Sequence, residues 1–184
     1  MSHVVVVDYG AGNTHSVCAA LAHLGHTSEV TCAPEEIERA SHVILPGVGS
    51  ARSAMQHLNE TGAAAALRQR FADDGQILGI CLGMQLALEA SEEDGGVEGI
   101  GLLTGLVTRL ETERVPRLGW AIVEPWGDAY YFAHSFSAHS SDVVATSEGI
   151  TAAVQNGSFL GVQFHPEKSA QAGLDFLEQC LSLA

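Results

Sequence analysis

Unbroken apolar runs recur through the first half of the chain, and each is followed by a stretch with helical spacing. HVVVVDYG (3–10) reads as a strand buried on both faces, and residues 14–24 follow with Val17, Leu21 and Leu24 at helical spacing before Gly25, a natural stop. Residues 27–32 are strand-like, PEEIERA (34–40) opens a short helix on a proline, and HVILPG (42–47) is another buried strand. Ser50 is placed to cap a helix from Ala51, residues 63–71 are helical, and 76–81 form an apolar strand running straight into a helix over LGMQLALEA (82–90). Continuous apolar strands separated by helices predict an α/β fold with a mostly parallel sheet covered on both faces. The pattern changes at SEEDGGVEG (91–99), a turn-rich acidic loop, after which short strands punctuated by Gly and Pro run to about residue 165. A last helix, from about residue 170, sets Leu174, Leu177 and Leu181 on one face. With no linker, repeat or low-complexity tract to divide them, residues 1–184 are expected to form a single domain.

Composition narrows the possibilities. At 46% apolar and 16% charged residues the chain lies far from the disordered regime, and 184 residues suffice for one core. The 22 acidic residues against 8 basic ones give a net charge of −14, both halves are negative, and Lys168 is the only lysine. Nucleic-acid and anionic-membrane binding, which need clustered Lys and Arg, are disfavoured. The first apolar run stops at Asp8, too short for a signal peptide, and no stretch approaches a membrane span. Cys18, Cys32, Cys81 and Cys180 are widely spaced without a CxxC pair, which argues against a zinc site or a disulfide framework and for a reducing cytoplasm.

One cysteine has a distinctive setting. In GICLG a buried strand ends at Cys81, a helix begins at once, and Gly79 and Gly83 stand two positions to either side. That is the pattern of a nucleophile elbow, in which small neighbours let strand and helix approach while the reactive residue occupies the turn. Unpaired N–H groups at the helix start favour a thiolate, and the N–H of Leu82 is placed for an oxyanion. A core cysteine between packing glycines shares the local spacing. A base is available downstream in FLGVQFHPEKS, where a strand ends at His165 and Pro166 stops it; Glu167, two residues on, projects to the same side of an extended backbone and can orient the imidazole. Between strand and helix, ILPGVGS offers the N–H groups of Gly47, Val48 and Gly49 to a site, although a simple glycine-rich turn reads the same way. DYGAGNTH fails as a dinucleotide fingerprint because His15 stands where a third glycine is needed after Gly10 and Gly12. His3, His23, His26, His42 and His57 show no HxxH spacing or carboxylate pairing that suggests a metal site.

Together, GICLGMQLAL and GVQFHPEKS resemble the class-I (triad) glutamine amidotransferases, which release ammonia from glutamine through a cysteinyl thioester. DYGAGN, LPGVG, VPRLGW (115–120) and YFAHS (131–135) are most similar to the members that serve imidazole glycerol phosphate synthases of histidine biosynthesis, and VPRLGW and YFAHS set the chain apart from those serving pyridoxal phosphate or anthranilate synthesis. The resemblance implies a three-layer flavodoxin-like fold and catalysis by Cys81, His165 and Glu167 without a cofactor. It also implies oxyanion donors from Leu82 and the LPGVG segment, and an L-glutamine pocket lined by Gly49, Gln85, Ser135 and Phe136. The partner it implies is a separate cyclase subunit, in a heterodimer, which receives the ammonia and forms imidazole glycerol phosphate and aminoimidazole-carboxamide ribotide. DYGAGN and VPRLGW would lie near that interface, and LPGVG would stay unproductive until the partner acts. The chain departs from the family pattern at Thr14 and His15, at Arg117 where His is usual, and at Phe136 where Tyr is usual, and it is several residues shorter between Trp120 and Tyr130.

Overall fold

The computed structural model describes residues 3–10 and 13–182, so Gly12 of the first glycine loop lies outside the described residues. In chain order the elements are β1 (Val4–Val7), α1 (Thr14–His23), β2 (Ser28–Thr31), α2 (Pro34–Arg39), β3 (His42–Leu45), α3 (Ala51–Glu60), α4 (Ala63–Ala72), β4 (Gln76–Ile80) and α5 (Leu82–Leu86). There follow β5 (Ala90–Ser91), β6 (Val97–Glu98), β7 (Leu106–Arg109), β8 (Arg117–Ile122), β9 (Ala129–His134), β10 (Phe136–His139), β11 (Val143–Ser147), β12 (Ile150–Asn156), β13 (Phe159–Val162) and α6 (Ala170–Ser182).

A seven-stranded sheet in the order β11-β12-β13-β4-β3-β1-β2 forms the middle layer. From β13 to β2 every pairing is parallel; β12 and β11 extend the sheet antiparallel. The four valines of β1 divide between two cores, as an uninterrupted apolar strand must when both faces are covered. Val5 and Val7 pack with Ile37, Leu58 and Leu67 of α2, α3 and α4, whereas Val4 and Val6 pack with Val17, Leu21, Phe176 and Leu177 of α1 and α6. The expected three-layer α/β architecture is present. Of the short strands of the second half, β11, β12 and β13 join the seven-stranded sheet, and the rest form a smaller sheet, β10-β7-β5-β6, and a two-stranded ribbon, β8–β9. Among the described residues no helix is long and apolar enough to cross a membrane.

One sequence expectation about these elements needs adjustment. The helix after Cys81 ends at Leu86 rather than reaching Ala90, because residues 99–103 return across its end: Ile100 N–H donates to Leu86 O, and Leu102 and Leu103 N–H both donate to Ala87 O. Gly99 permits this approach, since a Cβ there would lie 1.9 Å from Leu88 O. The acidic loop forms a turn, as expected. A 3₁₀ turn over Glu93–Gly95 brings the Asp94 carboxylate to Ser50 Oγ at 2.6 Å and Arg52 N–H at 3.1 Å, tying the loop to the start of α3, where Ser50 also caps Ser53 N–H as expected. On α6 Leu177 and Leu181 are buried as expected, and half-buried Leu174 packs against the same core, joined by Phe176.

Candidate active site

The central strands β3, β4 and β13 deliver the candidate residues from adjacent C-terminal ends, where parallel α/β sheets place their sites. Cys81 follows β4 with φ 50° and ψ −106°, a left-handed conformation that costs a non-glycine residue of order 1–3 kcal/mol. Its N–H donates to Val162 O at 2.7 Å, and its carbonyl accepts from Gln85 N–H at 3.2 Å, so sheet and helix together impose the turn. The flanking glycines are required by contact. A Cβ on Gly83 would lie 1.9 Å from Leu45 O, and one on Gly79 would lie 2.9 Å from the Met84 backbone. Because α5 has five residues, its macrodipole is slight, and stabilisation of negative charge on sulfur falls to local N–H donors rather than to a long helix.

His165 stands beyond β13 with its backbone fixed by N–H donation to Tyr131 O and by the Ser169 hydroxyl on its carbonyl. Its Nδ1 lies 2.9 Å from Glu167 Oε1, both side chains being almost wholly buried. The reach is made by a 3₁₀ turn over Pro166–Lys168, not by extended backbone as the spacing implied. With Nδ1–H committed to Glu167, Nε2 is left for Cys81. Burial lowers the imidazole pKa, but hydrogen bonds to Cys81 and Glu167 and their charges outweigh it and raise it to about 9. The ring therefore carries a proton near neutrality, beside the sulfur.

A cleft of about 400 Å³ opens over Cys81. It is lined by Gly47, Val48 and Gly49 after β3, by Leu82 and Gln85 of α5, and by Ser135 and Phe136 where β9 gives way to β10. Every residue singled out for oxyanion or glutamine contact thus borders one space, Val48 among them. Its N–H turns to the Tyr9 hydroxyl, which in turn donates to Pro46 O at 2.5 Å. Burial first, and then the charge on Cys81, raise the Tyr9 pKa and keep the phenol protonated.

Sequence reasoning missed Tyr9, Asn13 and Glu93. Asn13 Nδ2 donates to Glu167 Oε1 at 3.3 Å, which joins the start of α1 to the His165–Glu167 pair. Glu93, on the acidic loop, borders the cleft, and its Oε2 is buried without a hydrogen-bond partner among the described residues. Burial, then Asp94, raise its pKa, while the Ala51 N–H lowers it. Only the turn composition of SEEDGG hinted at an ordered loop there, since these contacts join distant segments.

Arg117 faces inward: its guanidinium covers the Phe132 ring at 4.2 Å and donates to Ser147 Oγ at 2.8 Å and Glu148 at 2.9 Å. Directly across the ribbon is His134, whose Nδ1 meets Phe136 O at 2.8 Å. Burial, with the charges of Arg117 and His165, lowers its pKa to about 4 despite that carbonyl. His134 is neutral. The other cysteines, Cys18, Cys32 and Cys180, are half-buried and free, and burial pushes the Cys180 thiol up to about 12. His3 does have carboxylate neighbours, contrary to expectation. It meets Glu29 at 3.2 Å, and Glu36 completes a group whose ligand atoms lie within 4.8 Å of one another, all on the surface or half-buried.

The model of the family described as glutamine amidotransferase class-I matches residues 5–182. The imidazole glycerol phosphate synthase subunit HisH of Moorella thermoacetica is 43% identical, covering 97% of this chain and 93% of its own. The same subunit of Exiguobacterium sibiricum is 41% identical over 96% and 93%. In Arabidopsis thaliana the chloroplastic imidazole glycerol phosphate synthase hisHF is 39% identical over 98% of this chain, which spans 34% of that longer protein. Among solved structures, a glutamine amidotransferase superposes with a TM-score of 0.82 at 20% identity, covering 97% of this chain and 99% of that one, a likeness of fold.

Proposed function

The chain belongs to the class-I glutamine amidotransferase family, and on that premise we propose that it is the glutaminase subunit of an imidazole glycerol phosphate synthase, with Cys81, His165 and Glu167 as its catalytic triad. The observation that carries the chemistry is the buried His165–Glu167 pair at 2.9 Å, whose imidazole the elbow sulfur helps to keep protonated. The synthase is indicated by the HisH relatives at about 40% identity over nearly the whole chain.

Cys81 sulfur attacks the side-chain amide carbon of glutamine, and the electron pair of the C=O bond moves to oxygen. Leu82 N–H and the Gly47–Gly49 backbone, which border the cleft, are the oxyanion donors in this reading. As the C–N bond breaks, His165 gives its proton to the departing nitrogen, and ammonia leaves. The now neutral imidazole takes a proton from water, whose oxygen attacks the thioester; glutamate departs as the electron pair returns to sulfur. Glu167 holds the ring in one tautomer throughout. Glu93 supports recognition of an amino acid, because its unpartnered carboxylate oxygen suits an α-ammonium group.

Ammonia passes to a cyclase subunit. The ribbon strand β8 turns Leu118, Trp120 and Ile122 outward at 65%, 55% and 59% exposure, an apolar stripe whose first member also borders the cleft. Such a stripe beside an active site suits a permanent partner. The engagement of Val48 N–H by Tyr9 supports gating, since that donor is unavailable to an oxyanion until the loop moves.

The test is glutamate release from glutamine with and without the cyclase subunit and its ribotide substrate. Weak activity alone and strong stimulation in the complex are expected; no release in either condition overturns the glutaminase reading, and equal rates overturn the gating. Cys81→Ser should remove at least ~10³ of the stimulated rate, because losing one member of a catalytic unit forfeits most of its effect.

A further inference from the structure

Gln163, between β13 and His165, is fully buried yet polar; its backbone N–H holds Ala152 O, and its side-chain amide bonds to Cys81 and Gln85, which border the cleft. Its Nε2 donates to Cys81 Sγ at 3.5 Å, and its Oε1 accepts from Gln85 Nε2 at 3.0 Å. The same Gln85 nitrogen gives its second hydrogen to Phe136 O at 3.0 Å, where His134 Nδ1 also points at 2.8 Å.

The direction of this relay is fixed by a group that has no choice. Phe136 O is a backbone carbonyl and only accepts, so the nitrogen of Gln85 must face it. That nitrogen also faces Gln163, so Gln163 must turn its oxygen toward Gln85 and its NH₂ toward the sulfur. Reversing Gln163 alone would set two NH₂ groups against each other, and reversing both would set the Gln85 oxygen against the Phe136 oxygen. A backbone carbonyl in the cleft wall therefore aims an N–H donor at the nucleophile.

We infer that Gln163 is a further catalytic residue of the glutaminase reaction, a second N–H donor to the attacking sulfur, and that Gln85 is a positioning residue acting through it; this rests on the glutaminase reading above. The elbow fixes the Cys81 backbone but not rotation about its Cα–Cβ bond, and the sulfur has a competing acceptor in Ala133 O at 3.9 Å. A donor opposite that carbonyl selects one orientation. Gln163 and His165, two residues apart, supply donors from one segment to one atom, as alternation along an extended backbone allows. Negative charge on a buried sulfur needs such partners, and donors to a charged acceptor are about twice as strong as those to a neutral one. The charge is present before attack, absent in the thioester, and present again when the C–S bond breaks and sulfur recovers the electron pair. Loss of the donor therefore bears most on expulsion of sulfur from the thioester.

The experiment uses the complex with the cyclase subunit and its ribotide. Gln163→Met keeps the volume and removes the donor. Its kcat for glutamine is expected to fall about ten- to hundredfold, short of the loss from deleting an oxyanion donor, while KM does not rise. Acid-quenched protein should carry more glutamyl thioester on Cys81, seen by mass spectrometry. A kcat within twofold of wild type overturns the inference, as does a rise in KM at unchanged kcat, which would make Gln163 a mere support for the pocket. Gln85→Met probes the outer end of the relay should Gln163→Met fail to fold. It should lower kcat and lengthen the thioester lifetime, and a change confined to KM overturns the relay. Wild-type complex measured alongside separates the two claims, for if it releases no glutamate the glutaminase reading itself has failed.

Discussion

Asn13 Nδ2 donates to Glu167 Oε1, the same oxygen that receives the proton of His165 Nδ1. Two segments far apart in the chain are thus joined through one carboxylate. Asn13 immediately precedes α1, so the carboxylate proposed to orient His165 is held in part from the start of that helix.

The charged imidazole makes stability depend on pH in a stated direction. His165 titrates at about 9 in the folded chain against an ordinary 6.5, so its contribution is complete below 6.5 and is lost as pH rises through 9. The difference in unfolding midpoint between wild type and His165→Asn should therefore shrink steadily from pH 6.5 to 9. A difference that stays constant across that window contradicts the assignment.

Tyr9→Phe removes both the donor to Pro46 O and the acceptor for Val48 N–H. Freed from the phenol, Val48 N–H can face the oxyanion without help from a partner. Glutamate release by the isolated subunit should rise several-fold, and the ratio of stimulated to basal rate should fall, a loss of gating worth about 1 kcal/mol per such hydrogen bond. An unchanged ratio would show that the latch lies elsewhere.

For Glu93→Gln the carboxylate charge disappears while the shape is kept. Binding of the glutamine α-ammonium should weaken, and KM should rise about tenfold with kcat changed much less, equivalent to ~1.4 kcal/mol of lost pairing. Steady-state kinetics in the synthase complex decide it; an unaltered KM removes Glu93 from substrate recognition.

Much of the first half was legible because a parallel strand covered on both faces has no polar positions to blur it, as the valines of β1 illustrate. The elbow at Cys81 and the His165–Glu167 pair could be read because their chemistry is local, two residues or a single turn. The end of α5 could not. Ala87 to Ala90 have good helical propensity, and what stops the helix is a return of residues 99–103, a contact absent from any local window. Glu93, Tyr9 and Asn13 escaped for the same reason. Gln163 did leave a signal, since it stands two positions before His165 on the same alternation, but a buried glutamine is easily taken for strand filler. The alternation on β8 reads correctly once the strand is placed: Arg117 inward, with Leu118, Trp120 and Ile122 outward.

Cys81, Gln163 and His165 are brought together by pairings that match Leu45 with Gly79 and Val162 with Ile80. Were β13 to slip by a single position, the alternation would reverse, and the amide and the imidazole would turn to the other face of the sheet. Turnover of glutamine is therefore a quality check on folding. A preparation can show the right helix content and the right mass, but only molecules whose central strands have found their true partners will release ammonia, and specific activity counts them.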